Sequence, residues 1–302
     1  MKHSLILISF CLFLFACSKN EEQVALRYQS LASGPVPTHL PKVFNKDLNP
    51  GDQLLHRGMF SPDYEHFYFT TSNQDFTNFT IKAMHKTENT WSDPKDAFFN
   101  SMYDDHGMSY SPDGDTIYFS STRPVNQEDV ENTWHLWRTS RGNDKWSAPE
   151  FVDIPNLRDK LVSHPTVTES GRLYFDASNL DYSNMNVYYA DQVEGEFQNA
   201  KLVFTEQIST TNKCTPFIDP AERYLIYARV EQQLILMISH KDHDGKWGVP
   251  LELNKSVNTD GQGNPFVTFD EKFLFFASGK HDSPQWQLKW VSTNNLIKAQ
   301  NF

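Results

Sequence analysis

The sequence predicts an all-β protein, a five-bladed β-propeller, because one segment of about 50 residues occurs five times along the chain. Each copy holds a short apolar strand, a turn and an aromatic-rich second strand, and four short strands per repeat are typical of a propeller blade. Aromatic residues make up 14% of the chain, which suits sheets that pack face to face. The turn after the first strand falls at Asp63, Asp113, Ser170, Ala221 and Glu271 in the successive copies.

The elements of one repeat follow from its residue pattern. In the second copy, Ser111-Pro112-Asp113-Gly114 has the residues that a tight turn needs, and an alternating aromatic strand comes next. Trp91, Trp146 and Trp247 recur after the third strand, and this repetition favours packing between blades over a sugar-binding platform. Fourth strands are predicted at Ala97–Asn100, Glu150–Asp153, Lys201–Phe204 and Leu251–Asn254.

The last copy lacks a fourth strand, and the beginning of the chain offers the missing piece. Leu40–Asn45 resembles Val249–Asn254 and precedes the first copy as the other fourth strands precede theirs. We therefore expect this N-terminal strand to complete the last blade, so that residues 40–292 form one closed propeller without open edges, followed by a tail at 293–302.

The first residues resemble an export signal. A short positive start and an apolar run end at Ala16-Cys17, which looks like a bacterial lipoprotein cleavage box; the alternative is an ordinary secretory signal with an incidental cysteine. The resemblance implies a signal peptide at 1–16, lipidation of Cys17, a flexible tether at 17–39, and a periplasm-facing place at the outer membrane. Cys214 is then the one cysteine of the mature domain, and we expect it to be a small buried residue.

Composition narrows the class of partner. The formal net charge of −11 argues against nucleic acid and against direct adhesion to anionic lipid, so the expected membrane contact is the lipid anchor alone. A mean hydropathy of −0.58 argues against an integral membrane protein.

The repeat also resembles a known family. Ser111-Pro112-Asp113-Gly114 with Ile117–Ser121 looks like the TolB-type, WD-like β-propeller repeat of bacterial envelope proteins, and the likeness extends over most of the chain. The third to fifth copies depart from the Ser-Pro-Asp-Gly turn. The resemblance implies an interaction scaffold more often than an enzyme, and the motif residues are structural, so no catalytic residue carries over.

Alignment of the copies places polar residues at one end of the predicted channel. The first aligned position holds His56, His106, Ser163, Cys214 and Gly263, and the next holds Arg57, Gly107, His164, Thr215 and Asn264. Aspartates lie just upstream of these strands. The predicted binding residues are His56, Arg57, Asp105, His106, His164, Asp260 and Asn264.

Three interpretations of this cluster remain open. The histidines serve hydrogen bonding at the strand entries, or they ligate zinc or another divalent ion, or they bind a polar ligand. We predict no metal and no cofactor, with His56, His106 and His164 as the metal-ligand candidates.

The predicted function is a non-catalytic binding module of the cell envelope, a monomer whose partner is an envelope protein or a cell-wall or other glycan. The alternative is a glycoside hydrolase or lyase that uses Asp105, Asp260 and His106. Such enzymes place paired carboxylates at the site, whereas the inner strands of this chain carry only Asp219, near a turn.

Overall fold

The computed structural model describes residues 27–48, 51–88, 90–126, 133–204, 211–280, 285–294 and 296–297. These residues form five antiparallel sheets of four or five strands, and a small two-stranded sheet beside the third. The innermost strands of the five large sheets neighbour one another around a central channel, which confirms the predicted five-bladed propeller. The proposed signal peptide and Cys17 lie outside the described residues.

The blades follow one another along the chain, each with its innermost strand first. The first blade contains β2 (Leu54–Phe60), β3 (His66–Ser72), β4 (Thr80–Thr87), β5 (Thr90–Trp91) and β6 (Lys95–Asp96). The second contains β7 (Asp105–Tyr110), β8 (Thr116–Ser121), β9 (His135–Gly142), β10 (Lys145–Trp146) and β11 (Glu150–Phe151). The third contains β12 (Leu161–Val167), β13 (Leu173–Ser178), β14 (Asn186–Ala190), β15 (Gln192–Val193), β16 (Glu196–Phe197) and β17 (Lys201–Leu202).

The fourth blade contains β18 (Lys213–Ile218), β19 (Tyr224–Val230), β20 (Leu234–His240) and β21 (Leu251–Glu252). The fifth contains β22 (Gly261–Val267), β23 (Phe273–Gly279) and β24 (Gln287–Ser292), and its outer strand is β1 (Lys42–Val43). Two 3-10 turns connect blades, at Lys46–Leu48 and Pro155–Leu157.

The N-terminal strand closes the ring as predicted. Strand β1 pairs antiparallel with β24, and the next residue, Phe44, donates its backbone N–H to the carbonyl of Leu288 at 2.9 Å. The Phe44 side chain is fully buried, with rings of Phe60 and Phe67 from the first blade and Phe275 from the fifth around it. The closure is therefore held by aromatic packing as well as by strand pairing.

The fourth strands are shorter than predicted, and in the first blade the position is wrong. The outer strand there is β6, not Ala97–Asn100. Ala97 and Phe99 are buried instead, because the chain turns inward at this point, and Asn100 bonds back to the carbonyl of Ile81 at 2.7 Å.

Two of the three recurring tryptophans, Trp146 and Trp247, pack between blades as expected, whereas the Trp91 ring lies 6.0 Å from Phe60 of its own blade. The Trp146 ring lies 5.6 Å from Phe98 of the preceding blade's exit, and the Trp247 ring lies 6.4 Å from Tyr174 of the third blade. The repetition of Trp146 and Trp247 therefore reflects the stacking of neighbouring sheets.

The segment expected to be a flexible tether is packed over its described part. Residues 27–29 form a helical turn, and Tyr28 is fully buried. Its ring contacts Phe60 and Phe273, and its hydroxyl donates to Asp270 Oδ1 at 2.8 Å. The expectation is wrong here because an aromatic side chain finds an apolar cleft between the first and last blades; residues 17–26 lie outside the described residues.

No helix within the described part of the chain is long and apolar enough to span a bilayer.

Candidate functional site

A bulge at the same point of all five inner strands builds one end of the channel. The pairing register shifts between Leu55 and Gly58, His106 and Ser109, Ser163 and Thr166, Cys214 and Phe217, and Gly263 and Phe266. A bulge places one extra residue in a strand and changes the direction of its side chains, so each inner strand presents an additional residue toward the channel. The bulges coincide with the polar positions that aligned in the sequence.

Several bulge residues adopt a left-handed backbone conformation that costs energy for residues other than glycine. His164, Thr215 and Asn264 have φ of 54°, 49° and 54°. Their backbone N–H groups donate to the preceding blade, to Ser120 Oγ at 2.9 Å, Asp176 Oδ1 at 2.8 Å and Thr215 Oγ1 at 3.2 Å, respectively. These bonds hold the strained positions and join successive blades around the channel.

A cavity of about 700 Å³ opens at this end of the channel. Its walls include an apolar residue from the start of the third strand of each blade: Phe79, Trp134, Met185, Leu234 and Trp286. The half-exposed rings of Phe76 and Tyr182 also line it. Sequence reasoning missed these walls, although the signal was present as a large apolar residue at one position of every copy.

His56 lies in this cavity and is held by a defined hydrogen bond. Its Nε2 is 2.8 Å from Ser72 Oγ, and that hydroxyl donates its own proton to the carbonyl of Asn73, so Nε2–H is the donor to Ser72. The ring lies 5.2 Å from Phe79. Burial, with a smaller effect of His164, lowers the pKa of His56 to about 3, so this imidazole is neutral near pH 7.

His106 lies beside a second histidine and a tryptophan. Its ring centroid is 4.1 Å from Trp134 and 4.5 Å from His164. Burial above all, and then the electrostatic effects of His164, His56 and Arg57, hold the pKa of His106 well below its usual value. The neighbouring His164 Nδ1 is 2.8 Å from Asp176 Oδ1, so this end of the cavity presents one neutral imidazole and one imidazole paired with a carboxylate.

The two aspartates predicted for the site do not line the cavity. Asp105 is buried and engaged elsewhere, with Arg123 Nη2 at 2.8 Å from Oδ1 and the Ser101 N–H donating to Oδ2 at 2.6 Å. Asp260 lies outside the lining, 3.7 Å from Lys289 Nζ. Each carboxylate instead lies near a cation of its own blade, Arg123 for Asp105 and Lys289 for Asp260.

The carboxylates that do line the cavity are Asp104 and Asp176. Asp104 Oδ1 accepts the backbone N–H of Phe79 at 2.9 Å, and burial raises the pKa of this carboxyl. The predicted residues Arg57 and Asn264 also line the cavity. Arg57 is 2% exposed, and burial lowers its pKa to about 10 against the opposing effect of Asp176, so the guanidinium remains cationic.

The geometry of the cavity does not provide a set of metal ligands among the described residues. Within the described ranges, no group of three or more His, Cys, Asp or Glu residues is placed to hold a metal ion, although His56, His106 and His164 share the cavity. Cys214 also lines it, and burial raises the pKa of its thiol, so the group stays protonated and behaves as a small apolar wall residue.

No protein-family model matches the chain, and no curated protein matches it. Solved structures resemble it distantly. TolB from Acinetobacter baumannii is 10% identical with a TM-score of 0.45, and the match covers 79% of this chain and 54% of TolB, so the chain spans about half of that protein. A gluconolactonase from Xanthomonas campestris is 10% identical over 86% of this chain and 97% of its own, with a TM-score of 0.47.

An α-L-arabinofuranosidase from Podospora anserina, solved with cellotriose, is 9% identical over 84% of this chain and 93% of its own, with a TM-score of 0.49. These likenesses transfer neither a residue nor an activity to this chain, and its function is argued from its own site.

Proposed function

We propose that this protein is a non-catalytic binding module that captures part of a glycan in the cavity at the end of its channel. The observation that supports the proposal is a cavity of about 700 Å³ whose apolar and aromatic walls surround buried polar groups. Ligand pockets of this size combine apolar walls with a few placed polar side chains that fix orientation.

The walls suit a ring with one apolar face and polar edges. Trp134 and Trp286 offer aromatic surface, while the neutral imidazoles of His56 and His106 lie among them. A sugar ring has this division between a face of C–H groups and an edge of hydroxyls. A neutral imidazole has one donor and one acceptor nitrogen; in His56 the donor is used by Ser72, so the acceptor Nδ1 is the atom left for a hydroxyl group.

The carboxylates favour binding over catalysis. Hydrolysis of a glycosidic bond uses a pair of free carboxyl groups across the scissile bond. In this cavity Asp176 already accepts from the Thr215 N–H and lies against His164, so one partner of such a pair is occupied.

A hydrolase or lyase is the second candidate function, and one observation favours it. Asp104 lines the cavity with a pKa raised by burial, which is the condition of a carboxyl group that acts as a general acid. Asp104 lines the cavity, whereas Asp105 and Asp260, the carboxylates predicted for such an enzyme, do not.

The cellular setting of the proposal rests on the sequence. The Ala16-Cys17 junction supports lipidation at Cys17 and a place at the outer membrane facing the periplasm. A protein of the envelope is the other class of partner that the repeat resemblance implies.

The test is a titration of the purified protein with neutral and acidic oligosaccharides, followed by tryptophan fluorescence and calorimetry. We expect binding that weakens at least about tenfold in Trp134→Ala and in Phe76→Ala. Phe76 is 41% exposed, so its removal leaves the fold intact. The control Trp146→Ala changes a tryptophan outside this cavity and should bind as the wild type does.

Two results would overturn the proposal. If no oligosaccharide binds while crosslinking in cells captures an envelope protein at Phe76 or Tyr182, the partner is a protein. If a bound oligosaccharide is cleaved and Asp104→Asn abolishes cleavage without loss of binding, the protein is an enzyme.

A further inference from the structure

One arginine differs from all the others. Arg57 is 2% exposed, yet Nε, Nη1 and Nη2 have no hydrogen-bond partner among the described residues. Each other arginine lies within 4.0 Å of a carboxylate, as Arg123, Arg172 and Arg223 show with Asp and Glu partners. A buried, unpaired guanidinium is strongly unfavourable, so a group of this kind is expected to have a partner that arrives from outside.

The position of Arg57 is at the inner limit of the cavity. It lines both the cavity of about 700 Å³ and a separate small cavity of about 50 Å³ bounded by Met59, Phe217 and Phe266. The large cavity therefore ends at Arg57, and beyond it the channel has room for little more than water. A ligand that fills the large cavity from the open end reaches this cation last.

Asp176 is the carboxylate that acts electrostatically on Arg57, but it does not form an ion pair with it. Asp176 influences Arg57 electrostatically, but its Oδ1 accepts the Thr215 N–H and lies 2.8 Å from His164 Nδ1, and no ion pair joins it to Arg57 among the described residues. His56 and His106 are neutral and supply no anion. The described residues thus supply no anionic partner to Arg57 at the end of the open cavity.

The chemistry of that group follows from the shape of the guanidinium and from the walls. A guanidinium presents parallel N–H groups that match the two oxygens of a carboxylate. The apolar walls formed by Trp134, Trp286 and Phe79 suit the ring that carries it.

We propose that Arg57 is the receptor for a carboxylate and that the ligand is an acidic glycan, one whose inserted residue is a sugar acid. This inference rests on the proposed function and specifies its ligand. The carboxylate enters first and pairs with Arg57, while the sugar ring stays between the aromatic walls.

The experiment compares D-glucuronate and D-galacturonate oligomers with the neutral glucose and galactose oligomers of equal length. Glucose 6-phosphate tests an anion of different shape. We expect the wild type to prefer the sugar acids at least about tenfold, and Arg57→Met to lower that preference to near one. Arg57→Lys should retain a reduced preference, because a point charge replaces a fork.

The melting temperature is a second readout, because loss of an arginine with a structural partner should lower it, whereas loss of an unpaired arginine should not. Replacing an unpaired buried cation by an apolar side chain of similar length should leave the melting temperature unchanged or raise it. The matched control is Arg123→Met, which leaves buried Asp105 without its cation and should lower the melting temperature.

The outcomes separate the two proposals. Failure of every saccharide to bind would overturn the proposed function. Equal binding of neutral and acidic oligomers, unchanged acid preference in Arg57→Met, or preference for the phosphate would overturn the assignment of Arg57 to a carboxylate. A lower melting temperature in Arg57→Met would show a structural partner and would also overturn it.

Discussion

His56 has surroundings in which a proton is costly. Nε2–H donates to Ser72, so a second proton would have to enter at Nδ1 of an imidazole that lies beside the rings of Phe76 and Phe79. Burial leaves little water to solvate the resulting charge, which is why the pKa of His56 falls to about 3. The site therefore contains a neutral imidazole, and acidification should lower the stability of the folded protein.

This gives a prediction for stability against pH. The folded pKa of His56 is about 3 and the unfolded value is 6.5, so the unfolded chain binds more protons between these limits. Proton uptake by the unfolded chain therefore leaves the free energy of unfolding unchanged above pH 6.5 and lowers it progressively as the pH falls toward 3. The loss is about 2 kcal/mol at about pH 5. We expect His56→Gln to reduce the difference in unfolding free energy between pH 7 and pH 5 by about this amount, measured by urea denaturation.

The control for this prediction is His243→Gln. His243 is exposed in a hairpin turn, and its surroundings change little on folding, so the wild-type difference should remain. A His56→Gln variant with the full wild-type pH dependence would contradict the neutral assignment.

Among the elements, the closing strand β1 and the residue after it contribute more to closure of the ring than two residues of strand pairing would. It has two residues, and two-residue pairing alone is weak; the following Phe44 supplies the packing between first and last blades. A ring closed in this way depends on side-chain burial at the seam rather than on the number of ladder hydrogen bonds.

We therefore expect Phe44→Ala to destabilise the protein by about 3–5 kcal/mol, because it leaves a cavity among four aromatic rings. Urea denaturation of the purified variant measures this change. Leu40→Ala is the control, since that side chain is 55% exposed and should change stability by less than about 0.5 kcal/mol. A small effect of Phe44→Ala would mean that the seam is held elsewhere.

The elements also show what the sequence could reveal. Strands β2, β7, β12, β18 and β22 were predictable because a tight turn and an alternating aromatic strand follow each of them in every copy. The inner polar positions aligned for the same reason. The apolar walls were missed because the loops between second and third strands differ in length, so Phe79, Trp134 and Trp286 have no fixed spacing from the turn that marks each copy, although each immediately precedes its third strand.

Other features depend on distances that no single segment encodes. Asp105 and Asp104 are adjacent in sequence, yet one turns to Arg123 and the other to the cavity. The missing partner of Arg57 likewise depends on how far the nearest carboxylates lie after the blades close. The repeat pattern could place Arg57 at the channel but could not show that it lacks a hydrogen bond.

At the scale of the whole molecule, a net charge of −11 surrounds a cavity whose inner end is cationic. The overall field repels an approaching anion, whereas the buried Arg57 attracts it at short range. Salt screens the long-range repulsion, with a Debye length of about 10 Å at about 0.1 M, but screens a buried pair much less.

An acidic oligosaccharide should therefore bind faster as salt increases. We expect the association rate constant of a glucuronate oligomer to rise, by less than about tenfold, between about 0.02 M and about 0.2 M sodium chloride in stopped-flow fluorescence. The neutral glucose oligomer should show no such trend. A rate that falls with salt would instead point to an exposed basic surface as the place of first contact.

The buried position of Tyr28 has a consequence for how an anchored molecule would stand on a membrane. Tyr28 contacts Tyr64 and Asp270, which lie in the turns that follow β2 and β22. These turns are at the opposite end of the inner strands from His56 and the cavity. From Cys17, the proposed site of lipidation, to Arg27 the chain can extend at most about 35 Å. The lipid would thus hold the turn side toward the bilayer, and the cavity would open away from the lipid surface, where polymers of the cell wall rather than lipid headgroups would meet it.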